Sequence, residues 1–130
     1  MKFYLKENGM RTKLSYGELS VSGNVDYGYR PFELMVASIV GCSGLVFKKI
    51  LKKQRINVED LLIVADVVRN PEEANRIEYI KLNYTIKGRH LDPDKLYKSL
   101  EIARKNCSMI RSVENSIKIE ESLNIIELSL

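Results

Sequence analysis

Tryptophan is absent from this 130-residue chain, and histidine occurs once, as His90. A single histidine excludes any mechanism that needs two and argues against a histidine-built metal site. Two cysteines, Cys42 and Cys107, are too few for a disulfide-stapled scaffold. Three prolines and seven glycines, with no repeat or low-complexity stretch, exclude collagen and a disordered chain. The opening Met1-Lys2-Phe3-Tyr4-Leu5-Lys6-Glu7-Asn8-Gly9 has no apolar core of the kind a secretory signal needs. The longest nearly uncharged run, Leu34 to Phe47, is shorter than a bilayer span and is closed by Lys48-Lys49. The expectation is a cytoplasmic protein with no membrane partner, in which a permanent disulfide is out of place. Charge of one sign is not in excess either. Twenty-one Lys and Arg against 17 Asp and Glu leave +4, spread along the chain, which does not identify a nucleic-acid binder.

What is present is ordinary globular material, 45% hydrophobic and 29% charged. The length predicts a single domain over 1–130, large enough for a core without metal or disulfide staples. Glycines at 9, 17, 23 and 28 punctuate strand material at Phe3–Glu7, Lys13–Val21 and Asn24–Asp26. Pro31 starts a helix reaching to about Gln54. Its first half is apolar on every face, which predicts a helix enclosed on all sides. Val58–Arg69 reads as a strand and Asn70–Asn75 as a turn, while Arg76–Gly88 alternates as a second strand. Asp92-Pro93 caps a helix through Asn106, with Leu96, Leu100 and Ala103 as its stripe. A short turn carries Cys107–Val113, and Ser116–Glu120 and Asn124–Leu128 supply the closing strands. The fold class is α+β, with a mainly antiparallel sheet and a long buried central helix.

Each half of the chain holds one cysteine. Cys42 lies in Gly41-Cys42-Ser43-Gly44, in the middle of the apolar helix. A glycine there costs about 1 kcal/mol against alanine, so two imply a local gain, such as close approach of another group. Cys107 follows the amphipathic helix directly. On residues alone, either cysteine is a small apolar filler or a working thiol. Arg104, Lys105 and Arg111 stand near Cys107 in the chain and would favour a thiolate they reached. Elsewhere, His90 reads as a surface loop residue. The Glu72-Glu73 and Glu120-Glu121 pairs read as solvated charge with no third ligand, so neither metal nor cofactor is expected. Tyr79 and Tyr84 read as sheet packing.

The run Arg30-Pro31-Phe32-Glu33-Leu34-Met35-Val36-Ala37-Ser38-Ile39-Val40-Gly41-Cys42 resembles the helix of OsmC-like proteins, the osmotically inducible and organic hydroperoxide resistance group. In that family a Pro-x-Glu-Leu start leads to a cysteine eleven positions after the proline, the separation of Pro31 and Cys42. Cys107-Ser108-Met109-Ile110-Arg111-Ser112-Val113 resembles the second family motif. The resemblance implies an intertwined homodimer with long central helices at the subunit interface. It also implies a thiol peroxidase for organic hydroperoxides, with Cys42 as the peroxidatic thiol, Cys107 as the resolving thiol, and an external dithiol as reductant. Hydroperoxide reductases of the group carry a glutamate directly after the proline, paired with an amino-terminal arginine. Here that position is Phe32, and Glu33 follows it, as in the short YhfA-like branch. Burial alone raises a thiol pKa, so a cation is expected to compensate at Cys42, and Arg11 and Arg30 are available. Nine residues of continuous helix separate Glu33 from Cys42, about 13.5 Å along the axis. Glu33 would therefore serve a partner subunit's site or act as a first-turn dipole partner.

Two further functions compete with the peroxidase. One is a catalytically impaired OsmC-fold dimer that binds a small hydrophobic molecule, favoured by Phe32. The other is nucleic-acid binding through Gly41-Cys42-Ser43-Gly44 as a GxxG-like loop, which its setting between Val40 and Leu45 argues against.

Overall fold

A computed structural model describes residues 1–129 of the chain, which divides into two units, Met1–Ala37 and Ser38–Leu130. In the first unit, short polar turns fold the chain into an antiparallel meander of β1 (Phe3–Lys6), β2 (Gly9–Lys13) and β3 (Glu18–Val21). Two residues, Glu7 and Asn8, separate the paired Lys6 and Gly9. Gly9 belongs to β2, a strand hidden in the sequence because the glycine reads as a break. Its pairing demands glycine, since a Cβ would lie 2.2 Å from the Val21 carbonyl oxygen. The second turn closes on a hydrogen bond from the Leu14 N–H to the Gly17 carbonyl at 2.9 Å. Asn24–Asp26 is a turn and not a strand. The Asn24 side chain accepts the Asp26 N–H at 3.0 Å, the local bonding by which asparagine competes with a ladder.

Helix α1 runs unbroken over Pro31–Lys53, with Glu33 in its first turn and Lys52 and Lys53 in its last, as the helix dipole favours. Within the second unit it buries a single stripe, Ile39, Ser43, Phe47 and Leu51, at four-residue spacing. The other faces were expected to be enclosed too, yet in one chain Leu45 stays 69% exposed. By length and composition α1 passes as a bilayer span, because an 18-residue window reaching past the Leu34–Phe47 run has a mean hydropathy of 1.8. A core helix meets the same test, and within the unit α1 buries only its one packed stripe.

The sheet of the second unit has the order β4-β5-β6: β4 (Val58–Asn70), β5 (Arg76–Gly88) and β6 (Lys118–Glu127). β4 and β5 form an antiparallel hairpin, whereas β5 and β6 are parallel, in register from Tyr79 opposite Lys118 to Gly88 opposite Glu127. A parallel pair needs a crossover. It is supplied by α2 (Pro93–Asn106) and α3 (Ser108–Val113). Asp92 caps α2 by accepting the Asp94 N–H at 3.0 Å, with Pro93 at the first helical position. The two closing strands read from the sequence are one continuous strand, β6. Three of the four strand pairings are antiparallel, so the architecture is α+β as expected.

The core of this unit gathers the α1 stripe, Ile80, Leu82, Tyr84 and Ile86 of β5, Leu96, Leu100 and Ala103 of α2, and Ile110 of α3. Cys107 is buried with them. At the β4 edge the alternate residues Leu62, Val64 and Val68 stand about half exposed.

Candidate active site

The junction between α2 and α3 is a single residue, Cys107. It is extended (φ −84°, ψ 106°) and serves as the N-cap of α3, its Sγ accepting the Ile110 N–H at 3.5 Å. Ser, Thr, Asp or Asn is the usual choice at such a position, so a capping cysteine places its sulfur deliberately at the helix start. Cys42 comes to the same turn from the middle of α1. Its Sγ lies 3.6 Å from Ser108 Oγ and accepts from the backbone N–H groups of Met109 and Ser108. The Cys107 and Cys42 thiols stand close enough that each shifts the ionisation of the other. Two sulfurs 65 positions apart in sequence thus meet over the first turn of α3. Both are free thiols, Cys107 fully buried and Cys42 partly exposed.

The surroundings push the two thiols in opposite directions. The Met109 N–H, assisted by Ser108 and by the Cys107 thiol, holds Cys42 below the ordinary thiol range against the opposing effect of burial. Burial pushes Cys107 up, and the neighbouring Cys42 adds to this. The partly exposed Cys42 is therefore the more readily ionised of the two thiols, and the buried Cys107 the one that holds its proton more tightly. The compensation expected from a cation comes, within this unit, from peptide N–H groups and hydroxyls. Arg104 is turned to Glu121 at 3.6 Å, and Arg111 to Glu114 at 3.0 Å.

The supporting candidates Arg30, Glu33 and Arg11 lie in the first unit and have local partners. Arg30 Nε donates to Glu33 Oε1 at 2.7 Å, one helical turn apart, and its guanidinium sits 4.9 Å from the Phe32 ring centre. Arg11 pairs with Glu18 at 3.1 Å. Both ion pairs are exposed and of the kind worth about 0–1 kcal/mol. His90 is in an exposed loop with φ 57°, its N–H bonded to Glu127 at 2.9 Å.

Behind the thiols is a polar chain that the sequence reading overlooked. Ser43, fully buried, contacts the Tyr84 hydroxyl; Tyr84, also fully buried, donates to Glu121 Oε2 at 2.8 Å; and Glu121 is the carboxylate that Arg104 pairs with. Glu121 was read with Glu120 as solvated charge. Glu120 is, but the Glu121 side chain is only 8% exposed. The available signal was periodicity, because Glu121 shares a strand face with Ile119 and Leu123, and Tyr84 one with Leu82 and Ile86. A polar side chain on an apolar face announces a buried partner.

A separate cavity of about 720 Å³ opens between α1 and β4, lined by residues that include Val40, Gly41, Gly44, Leu45, Lys48, Lys52 and Arg55. Gly44 allows the approach of β4 there, since a Cβ would meet Ile63 Cδ1 at 3.2 Å, whereas Gly41 faces open space. Neither cysteine lines this cavity.

An α+β chain whose long helix brings one cysteine beside a second cysteine at the head of a short helix defines the structural class of the site. The family model described as OsmC-like protein matches residues 22–122. The chain belongs to the OsmC-like family. It is similar to Protein YhfA of Escherichia coli K12, 25% identical over 111 residues that cover 84% of this chain and 83% of that one. A solved protein of Aquifex aeolicus superposes with a TM-score of 0.87 at 26% identity, covering 98% of this chain and 96% of the other. An organic hydroperoxide resistance protein OsmC from Legionella pneumophila shares the fold, with a TM-score of 0.74 at 14% identity over 95% of this chain and 93% of its own.

Proposed function

We propose that this protein is a thiol peroxidase that reduces organic hydroperoxides through a Cys42–Cys107 disulfide cycle. The observation that carries the reading is the asymmetric pair itself, a partly exposed Cys42 with a lowered pKa beside a buried Cys107 with a raised one. The Cys42 thiolate attacks the outer oxygen of ROOH. The O–O bond breaks, the organic fragment takes a proton and leaves as an alcohol, and Cys42 becomes a sulfenic acid. The Cys107 sulfur then displaces the sulfenic hydroxyl, which leaves as water with the Cys107 proton, and the S–S bond forms. An external dithiol restores both thiols by exchange. Membership of the OsmC-like family, which includes neighbours of organic hydroperoxide resistance, supports a peroxide-related role.

The protein acts as a homodimer in this reading. The exposed Leu45 of α1 and the half-exposed Leu62, Val64 and Val68 of β4 support it, because apolar surface of that kind calls for a cover. Glu33, Arg30 and Arg11 enter only as supporting charges contributed to a partner's site. Binding of a small hydrophobic molecule is the second reading, and the cavity beside α1 favours it.

Cumene hydroperoxide separates the two. On the first reading, one equivalent consumes both free thiols and the chain loses two daltons through an intrachain disulfide. Cys42→Ser abolishes peroxide consumption, whereas Cys107→Ser permits one turnover ending in sulfenic acid. If both thiols remain titratable after excess peroxide, the peroxidase reading is refuted and ligand binding takes its place.

A further inference from the structure

We infer that the buried side-chain chain Ser43–Tyr84–Glu121–Arg104 is a positioning network that fixes the approach of the Cys42 and Cys107 sulfurs and so sets the stability of the disulfide between them. The inference rests on the thiol pair of the proposed cycle but not on peroxide as the oxidant. Its ends are what matter. Ser43 is the residue after Cys42, and Arg104 lies three before Cys107, whose N–H donates to the Arg104 carbonyl at 3.4 Å. Between them, Tyr84 of β5 and Glu121 of β6 carry the connection through the core, so four elements are tied along one line of polar contacts. The donors run in one direction. Tyr84 has one proton and gives it to Glu121, so the Ser43 hydroxyl donates to Tyr84. The Tyr84 ring is further held by Phe47, one turn beyond Ser43, in an edge-to-face contact with centres 5.7 Å apart.

This arrangement is not what stability alone would select. The surrounding buried positions, among them Leu82, Ile86, Leu100 and Ile110, are apolar, and a carboxyl group placed there opposes its own ionisation: burial raises the Glu121 pKa, against the opposing pull of Tyr84 and Arg104. Apolar replacements of buried polar groups are often neutral or stabilising, whereas a satisfied network specifies one arrangement. What it specifies here is the position of two backbone turns that each bear a sulfur.

The test equilibrates the full chain with reduced and oxidised glutathione and measures the effective concentration of the Cys42–Cys107 pair by mass. Oxidised glutathione accepts two electrons and two protons from the thiols and leaves as two reduced molecules, so no peroxide is involved. Tyr84→Phe and Ser43→Ala are expected to lower the effective concentration by about tenfold, the loss of one well-made buried hydrogen bond. Glu121→Leu should fall with them, while Glu121→Gln, which still accepts from the phenol, retains most of the wild-type value. Ile80→Val, a methyl removed from the same face of β5 outside the network, should stay within about twofold. The inference is overturned if Tyr84→Phe leaves the effective concentration unchanged, if Ile80→Val lowers it as much, or if the wild-type chain forms no intrachain disulfide with glutathione. A wild-type chain that forms the disulfide with glutathione but not with hydroperoxide overturns the peroxidase reading and leaves this one standing.

Discussion

Cys107 does two jobs that a substitution can separate. Its Sγ caps α3 by accepting the Ile110 N–H, and its thiol helps to hold the Cys42 pKa down. Cys107→Ala removes both. Loss of an N-cap acceptor costs about 1 kcal/mol, and deleting one heavy atom from a fully buried site costs about another 1 kcal/mol. The expected destabilisation is therefore about 2 kcal/mol. Cys107→Ser supplies a hydroxyl that accepts from Ile110 and donates to Cys42, and serine is a better cap than alanine. It should recover about 1 kcal/mol of that loss. The same comparison reads on the thiolate. With its donor gone in Cys107→Ala, the Cys42 pKa rises, while in Cys107→Ser it stays low. Urea unfolding under reducing conditions gives the first quantity, and the pH midpoint of iodoacetamide alkylation of Cys42 gives the second. If alanine and serine variants unfold at the same urea concentration and their alkylation profiles coincide, the account of the α2–α3 junction is wrong.

Two further outcomes follow from the core behind that junction. Glu121 has a folded pKa above its ordinary 4.5, because burial disfavours its charge. Between the unfolded and folded values the native chain keeps a proton that the unfolded chain has lost, so rising pH withdraws stability through that window. The wild-type stability minus that of Glu121→Gln, followed by urea unfolding from about pH 4 upward, should fall by about 1.4 kcal/mol for each unit separating the two values. A flat or rising difference would refute it. Phe47→Ala empties a fully buried site and frees one side of the Tyr84 ring, for an expected loss of about 3–5 kcal/mol in the same assay. A loss under about 1 kcal/mol would show the site is not closed in solution.

Much of the scaffold was legible because its signals are local. Pro31 and Asp92-Pro93 mark helix starts through backbone chemistry that acts within one turn. β5 alternates across its whole length because one face meets the core. β2 was not legible. Gly9 reads as punctuation unless one knows that the Val21 carbonyl occupies the place of its side chain. The two cysteines were legible as candidates, but what activates Cys42 was not. Peptide N–H groups have no letter in a sequence, whereas arginines do, and those of the α2–α3 region are turned to Glu121 and Glu114. Glu121 itself was misread because two adjacent acids look alike on paper, although a strand sends neighbours to opposite faces.

The brevity of α3 has an implication for observation. Six residues cannot sustain a helix by their own bonding, so this turn depends on whatever receives its leading amides, and here those acceptors are sulfur atoms. In the proposed cycle, joining the sulfurs covalently changes the acceptors that those amides face. Order in that turn is then expected to follow the electron count of the thiols, with the amide resonances of Ser108 to Ile110 as a gauge of redox state that needs no added dye.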